Sequence, residues 1–443
     1  MDERDRQPAR NLFSWQVRTF SLLWSGYAAY YLCRLNFAVA KPGMSAETGW
    51  SDVRIGTILS AYQVLYAAGQ FINGQFAERW GARRMMTVAL IVAAASNLGL
   101  AWASAQPEAI AFPGMLVCWA VNGYAQSAGW SLVVKTMSDW TPSKRRGTVI
   151  GLISTCYQVG NVLAWLLAGW LAQDYGWRAT FWVPALFLIP MAATLGLFLR
   201  NHPTEAGFPP VRDDVAPPAP VPAAGAAVPV AGAAVTAAGA ELSAREILRL
   251  TLTNKVLWVL ATAFFCMNAV RYAFMNWAPD YMATFHGLPI KGSAFTAVAL
   301  PLIGALGAIS AGWVSDTIFN RRRAPVAAVM LILLAAACVA FVHVPPGQVA
   351  FATAMLGFAG FMIYGPDMLV SGAATADVHP RAAAAATGFT MCTGAAGAIF
   401  SGIGVGWLKE AASGQWDLVF WTLGGLSVVS TALMVSIWNA RPR

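Results

Sequence analysis

The chain has 443 residues, of which 58% are hydrophobic and only 11% are charged. This composition is too apolar for a soluble globular protein and predicts a polytopic membrane protein. The net charge of +9 does not indicate nucleic-acid binding, because the basic residues gather in alternate loops. The six cysteines and four histidines lack the spacing of a metal site, a disulfide framework or a catalytic centre. We therefore expect no enzyme activity, no metal and no cofactor.

Long uncharged runs divide the chain into candidate membrane spans. About 20 apolar residues are enough to cross a hydrocarbon core about 30 Å thick. The pattern predicts an all-α polytopic membrane protein with twelve transmembrane helices. The predicted spans are 20–41, 55–76, 85–105, 110–135, 148–172, 178–199, 256–282, 293–314, 325–344, 349–374, 384–408 and 417–438.

The loops between these spans alternate in charge. One side holds many basic residues, such as Arg145 and Arg322, whereas the opposite loops hold few, among them Lys41 and Lys409. By the positive-inside bias, both termini are expected in the cytoplasm. The first twenty residues are charged and polar, so we expect no cleavable signal peptide.

The chain is predicted to consist of two repeated halves. Residues 215–240 contain only Ala, Pro, Val, Gly and Thr, which predicts a linker over 201–254 between halves at 1–200 and 255–443. An offset close to 237 residues relates the halves: GQFAERWGARR follows the second span and GWVSDTIFNRRR follows the eighth. The repeat predicts two pseudo-symmetric six-helix bundles.

The repeat also duplicates an arginine inside the membrane. Arg34 lies in the first span, and the same offset leads to Arg271 in the seventh. Insertion scales put the cost of an arginine at a helix centre at about 3 kcal/mol. Two guanidinium groups that face one cavity repel each other unless an anion lies between them, and each offers a fork of donors to phosphate or carboxylate. We therefore expect an anion site; the alternative is that each arginine pairs with a helix carbonyl or a buried carboxylate.

Several motifs resemble a known transporter family. The loop after the second span, Gly-x-x-x-acid-Arg-x-Gly-x-Arg-Arg, resembles that of the major facilitator superfamily. Within that superfamily, GYAAYYLCRLNFAVAKPGM, RYAFMNWAPDYM and YGPDMLV resemble the organophosphate:inorganic phosphate antiporters, which include the glycerol-3-phosphate and hexose-phosphate transporters. The resemblance implies that Arg34 and Arg271 bind phosphate. It also implies that an organic phosphate is exchanged for inorganic phosphate by alternating access.

Helical spacing and the resemblance together identify further candidates. Tyr27, Tyr31 and Arg34 fall on one helix face, as do Asn268 and Arg271 on another. In the loop after the second span, the spacing of the charged residues and its counterpart in the second half favour gating salt bridges over a merely solvated basic loop. The expected substrate-binding residues are Arg34, Arg271, Tyr27, Tyr31, Tyr66, Trp130, Tyr157, Asn268, Tyr364 and Asp367, and the expected gating residues are Glu78, Arg79, Arg83, Arg84 and Asp316.

The chain departs from the family pattern at several positions. Tyr157 stands where the family has a histidine, and Gln70 stands where the glycerol-phosphate members have a lysine. Asp367 adds an acid to the tenth span. It is expected either to pair with an arginine or lie in the cytoplasmic vestibule, or else to carry a proton or bind a substrate hydroxyl or amine.

The sequence thus predicts a transporter for a small organic anion, with a phosphorylated metabolite of sugar or glycerol phosphate type exchanged for inorganic phosphate. We expect a monomer in the inner membrane of a bacterium, with the lipid bilayer and these small anions as its partners. One alternative is a transporter-like sensor of a sugar phosphate that works with a histidine kinase. Another is an H+-coupled symporter of a carboxylated sugar.

Overall fold

A computed structural model describes residues 3–211, 253–320, 322–374 and 383–439 of the chain. The predicted all-α fold is confirmed. Most of the predicted linker lies outside the described residues. The α-helices are α1 Glu3–Leu32, α2 Asn36–Thr48, α3 Asp52–Ala103, α4 Glu108–Gln126, α5 Gly129–Trp140, α6 Ser143–Ile153, α7 Thr155–Tyr175, α8 Ala179–Phe198, α9 Lys255–Thr284, α10 Ile290–Ala297, α11 Ala299–Thr317, α12 Arg323–Val342, α13 Val349–Met368, α14 Ala383–Ala411 and α15 Asp417–Ser436.

These helices build the twelve predicted spans, several of them in two pieces. In the first half, α1 with α2, α4 with α5, and α6 with α7 form the first, fourth and fifth spans. In the second half, α10 with α11 forms the eighth span, whereas α9, α12, α13, α14 and α15 each form one. Within the described residues, nine helical stretches are long and apolar enough to cross a membrane. The first, second and fourth spans do not belong to that set.

The second and third spans are joined by a kink rather than a loop. Both lie in α3, and the kink is at Gly81, where φ is 70° and ψ is 162°. Only glycine adopts this conformation without strain. A Cβ atom at this position would also lie 2.8 Å from the side chain of Asn201. The second and third spans are therefore joined within a very short segment.

The two halves meet at one end of the molecule, which we call the closed end and define by Gly56, Ser60 and Gly402. A Cβ atom on Gly56 would lie only 2.5 Å from the carbonyl oxygen of Gly402, so α3 and α14 approach closely. Small residues allow such contact between membrane helices. Ser60 Oγ donates to the carbonyl oxygen of Ile399 at 2.7 Å and accepts from the backbone N–H of Ile403 at 2.8 Å. The kink at Gly81 lies further along α3, at the opposite end of the second span.

Candidate functional site

Arg34 lies where the first span is interrupted. α1 ends at Leu32, and α2 begins only at Asn36. Between them, the backbone N–H of Arg34 donates to the carbonyl oxygen of Tyr31 at 3.1 Å, three residues back rather than four. The expectation of one continuous helix over 20–41 is therefore wrong. The interruption frees the carbonyl oxygen of Cys33 from its helical partner, and a buried carbonyl needs a replacement donor.

Two amide side chains of α4 supply that replacement. Asn122 Nδ2 and Gln126 Nε2 donate to the carbonyl oxygen of Cys33 at 2.7 and 3.0 Å. Gln126 Oε1 in turn accepts from Arg34 Nε at 2.8 Å. Asn122 and Gln126 are completely buried. The fourth span thus holds both the interrupted backbone and the guanidinium of Arg34, and it does so with neutral groups.

The rest of the Arg34 side chain faces aromatic rings. Its guanidinium carbon lies 4.7 Å from the ring centre of Tyr31 and 5.1 Å from that of Tyr66. Such contacts between a cation and aromatic faces are favourable. Nη2 is buried and has no hydrogen-bond partner among the described residues. One donor of this arginine therefore remains available.

Arg271 lies on α9, which runs as one helix from Lys255 to Thr284. Its Nη1 donates to both carboxylate oxygens of Asp367 on α13, at 2.9 and 2.8 Å. The predicted alternative of a salt bridge between Asp367 and an arginine is confirmed. The guanidinium carbon lies 5.3 Å from the ring centre of Tyr272 and 5.2 Å from that of Tyr364. Nε of Arg271 is buried and has no hydrogen-bond partner within the described parts of the chain.

Tyrosines of each half lie near the arginine of the other half. Tyr31 of the first half interacts electrostatically with Arg271 of the second. Tyr272 interacts in the same way with Arg34. Tyr157 on α7, also in the first half, interacts with Arg271 and Asp367. Each arginine therefore has a tyrosine of the other half in its surroundings.

Other predicted binding residues extend this aromatic lining. The ring centre of Tyr27 lies 5.8 Å from that of Tyr31 and 5.4 Å from that of Trp130. Trp130 also contacts Tyr157, with 6.0 Å between ring centres. Asn268 differs from these residues, because its amide donates to the carbonyl oxygen of Phe264 one turn earlier in α9. The structure therefore places its amide on its own helix rather than against an arginine.

The predicted gating residues make contacts inside their own halves. Arg83 Nε donates to the carbonyl oxygen of Gly196 at 2.6 Å. Asp316 pairs with Arg323 at 3.2 Å. Arg84 is exposed and lines a cavity on the first half. The side chains of Glu78 and Arg79 lie outside the described residues, so a gating role for this group stays a prediction.

Four charged residues that the sequence pattern did not indicate form a cluster at the closed end, which we call the charge tetrad: Lys41, Asp52, Asp280 and Lys409. Lys41 Nζ lies 2.7 Å from a carboxylate oxygen of Asp52 and 2.7 Å from one of Asp280. Lys409 Nζ lies 3.2 Å from Asp52 and 2.9 Å from Asp280. Each half supplies one lysine and one aspartate. Each lysine pairs with the aspartate of its own half and with that of the other half.

The expectation that Lys41 and Lys409 are loop residues is wrong. Their side chains are only 1% and 8% exposed, and that of Asp280 is 1% exposed. Trp277 lies under both lysines, at 4.2 and 5.9 Å from Nζ to the ring centre. One signal for this cluster was available, because Asp280 falls inside the predicted span 256–282. An acid at that depth requires a cationic partner.

Comparison with known proteins agrees with this architecture. The family model described as Major Facilitator Superfamily matches residues 23–401. A "Probable hexose phosphate transport protein" of Chlamydia muridarum is 29% identical over 96% of this chain and 91% of its own length. A "Glycerol-3-phosphate transporter" of Bacillus subtilis is 28% identical over 97% of this chain and 93% of its own.

A solved structure has the same fold. It is that of a bacterial homolog to the human lysosomal transporter Spinster, which superposes with a TM-score of 0.71 over 96% of both chains. The two sequences are 16% identical. At this level of identity the likeness concerns the arrangement of the helices alone.

Proposed function

The chain belongs to the major facilitator superfamily, and we propose that it exchanges a phosphorylated metabolite of sugar or glycerol phosphate type for inorganic phosphate. It is a multi-pass membrane transporter and not an enzyme, related to transporters of sugar phosphates and glycerol 3-phosphate. Exchange requires no covalent chemistry. The substrate only has to stabilise both the inward-open and the outward-open arrangement of the two halves.

The observation that carries the proposal is the pair of unsatisfied guanidinium donors. Arg34 Nη2 and Arg271 Nε are both buried without a hydrogen-bond partner among the described residues. A buried charged donor without an acceptor is costly, whereas a charge-assisted hydrogen bond is among the strongest in proteins. A phosphate group offers at least three acceptor oxygens and a charge of about −1.5 to −2. It suits a site between two arginines.

The aromatic lining supports the same substrate class. The ring of Tyr31 lies against the guanidinium of Arg34, and the ring of Tyr364 lies against that of Arg271. These rings exclude water without offering a competing anion. Electrostatic attraction between an arginine and phosphate is stronger where water is excluded. We infer that Tyr27, Tyr157 and Trp130 contact the organic part of the substrate.

The charge tetrad supports alternating access. It holds the halves together at the end opposite the basic loops, and those loops are expected in the cytoplasm. We infer that the closed end faces outward, that both termini are cytoplasmic and that the protein works as a monomer in a bacterial inner membrane. Opening this end would separate Lys41 from Asp280 and Lys409 from Asp52, and would return four charges to water.

The decisive experiment is exchange in proteoliposomes. Vesicles loaded with radiolabelled inorganic phosphate are diluted into glycerol 3-phosphate, glucose 6-phosphate or gluconate, and phosphate efflux is measured. We expect efflux with at least one phosphate ester and little with gluconate. Phosphate binding without exchange would overturn the proposal in favour of a receptor. Gluconate uptake that follows an imposed pH gradient would overturn it in favour of an H+ symporter.

A further inference from the structure

Asp367 makes the two halves of the anion site unequal. The repeat offset that leads from Arg34 to Arg271 also leads from Trp130 to Asp367. The first half therefore has an indole ring at the position where the second half has a carboxylate. Only the second arginine is paired with an acid among the described residues. Arg34, Arg271 and Asp367 together carry a net charge of +1.

We propose that Asp367 is a specificity-determining residue that selects phosphate esters carrying a hydroxyl or ammonium group. In this mechanism the phosphate takes the place of the carboxylate at Arg271. The displaced carboxylate then accepts a hydrogen bond from the substrate's own donor group. The inference rests on the proposed function, because it assumes that phosphate binds between the arginines.

The charges explain why a donor group would matter. Any anion that binds Arg271 through Nη1 competes with Asp367 for the same atom. A substrate without a donor leaves the displaced carboxylate, which is largely buried, without a partner in the protein, and this is costly. A substrate with a hydroxyl or ammonium group gives the carboxylate a new partner at the moment it loses the old one. The free-energy difference corresponds to a preference of about ten- to a hundred-fold.

The geometry allows the carboxylate to change partners. Its two oxygens both contact Nη1 of Arg271, so the salt bridge uses only one of the three guanidinium nitrogens. The Asp367 side chain is 17% exposed and is therefore not sealed into the protein. It lies in the last turn of α13, directly after Pro366 and just before a π-helical turn at Leu369–Ala374. Such turns interrupt the regular ladder of hydrogen bonds and often occur at functional sites.

The donor group would meet a defined environment. Tyr157 and Tyr364 both interact electrostatically with Asp367. Tyr157 comes from the first half and Tyr364 from the second. A substrate that reaches Asp367 therefore has a tyrosine of each half nearby.

The test compares two esters that differ in their hydroxyl groups. Glycerol 3-phosphate and propyl phosphate share the phosphate and the carbon chain, but only the first has hydroxyl donors. In phosphate-loaded proteoliposomes, their half-inhibitory concentrations against phosphate exchange are measured for the unchanged protein, Asp367→Asn and Asp367→Glu. Asp174→Asn is the matched control, because Asp174 is exposed.

We expect the unchanged protein, Asp174→Asn and Asp367→Glu to prefer glycerol 3-phosphate by about ten-fold or more. In Asp367→Asn the preference should fall below about three-fold. Inorganic phosphate should also inhibit at a lower concentration, because the side chain at position 367 no longer competes with it as an anion for Arg271. An equal preference in the unchanged protein and Asp367→Asn would overturn the inference. So would proton movement that is coupled to exchange and lost in Asp367→Asn.

The outcomes separate this inference from the proposed function. If the unchanged protein exchanges phosphate but shows no preference between the two esters, only the role of Asp367 fails. If it exchanges no phosphate at all, both fail. Asp367→Glu retains a carboxylate, so loss of the preference in that variant with normal exchange would also contradict the inference.

Discussion

Arg34 and Arg271 occupy equivalent positions in the repeat, yet their surroundings differ. Arg34 lies at a break between two helices and bonds a neutral amide, Gln126. Arg271 lies within one helix and bonds a carboxylate, Asp367. The partner comes from the equivalent span in each half, the fourth and the tenth. When the repeat is used to align the two halves, Asp367 lies one helical turn beyond the position equivalent to Gln126.

This difference shows that the repeat determines where a charge lies but not how it is balanced. Moving a partner by one turn displaces it by about 5.4 Å along the helix axis. That displacement lets the second half use an acid without placing it beside Arg34. We infer that Arg34 is the stronger anion ligand, because no anion of the described residues has to leave before a substrate binds.

The largest expected effect is on the arginines themselves. Arg34→Lys should lower the initial rate of phosphate exchange about a hundred-fold, and Arg271→Lys about ten-fold or more. Lysine keeps the charge but loses the planar fork of donors. The smaller effect at Arg271 follows from its competing acid. Rates are measured in proteoliposomes with equal amounts of reconstituted protein.

Arg54→Lys is the matched control for these variants. Arg54 also lies against aromatic rings, those of Trp50 and Phe112, and pairs with Glu108 at an exposed site. We expect it to retain exchange within about two-fold, since exposed ion pairs contribute little. Near-normal exchange by Arg34→Lys would refute the comparison, and so would a larger loss in Arg271→Lys than in Arg34→Lys.

The next effect concerns the charge tetrad, where the halves contribute equally. Asp280→Asn leaves two buried lysines with one carboxylate, which should cost the closed arrangement about 3 to 5 kcal/mol. The double variant Asp280→Asn with Lys409→Gln restores the charge balance and leaves Lys41 paired with Asp52. We expect the double variant to recover most of the lost thermal stability in detergent. A double variant less stable than Asp280→Asn would show that charge balance is not the cause.

A third experiment makes the two arginine sites alike. Gln126→Glu places a carboxylate beside Arg34, as Asp367 is placed beside Arg271. We expect the half-inhibitory concentration of inorganic phosphate to rise about ten-fold, because a second acid now competes with the substrate. Gln126→Ala is the control, since both variants lose the donor to the Cys33 carbonyl and only one gains a charge. Equal inhibition in the two variants would contradict the expectation.

The smallest expected effect concerns Glu47, the partner of Trp177. The repeat relates Trp177 to Trp416, and the two tryptophans have different partners. Trp416 lies under Lys409, with 4.7 Å from Nζ to the ring centre, whereas Trp177 donates to Glu47 at 2.8 Å. Hydrogen bonds from Arg178 and Trp177 hold the pKa of Glu47 below its ordinary value of 4.5. The Glu47 side chain is half exposed and lies beyond the predicted span 20–41.

Because the pKa of Glu47 is lowered on folding, its contribution to stability is present above pH 4.5 and is lost as the pH falls through the lowered value. Glu47→Gln should therefore lower the free energy of unfolding at pH 7 by less than about 1 kcal/mol. Thermal unfolding is measured for both proteins from pH 7 downward. A difference that persists at pH 2 would contradict the ion-pair explanation.

Much of this molecule follows from local sequence. Twelve apolar runs, a repeat that relates the two halves and two intramembrane arginines can each be recognised without knowing which helices touch. Hydrophobicity along the chain reports burial in lipid, and that is enough to predict spans and their equivalence. The positions of Arg34 and Arg271 within the first and seventh spans can be recognised in the same way, because each is a charge inside an apolar run.

The partners of those charges were decided only by the tertiary structure. The break at Arg34 is tolerated because Asn122 and Gln126 of another span reach the freed carbonyl of Cys33. Lys41 and Lys409 become buried because acids of both halves converge on them at the closed end. Hydrophobicity along the chain carries no information about such pairings, since the partners lie on helices distant in sequence. The sequence therefore determined where the charges are, and the packing of the helices determined which of them remain free to bind an anion.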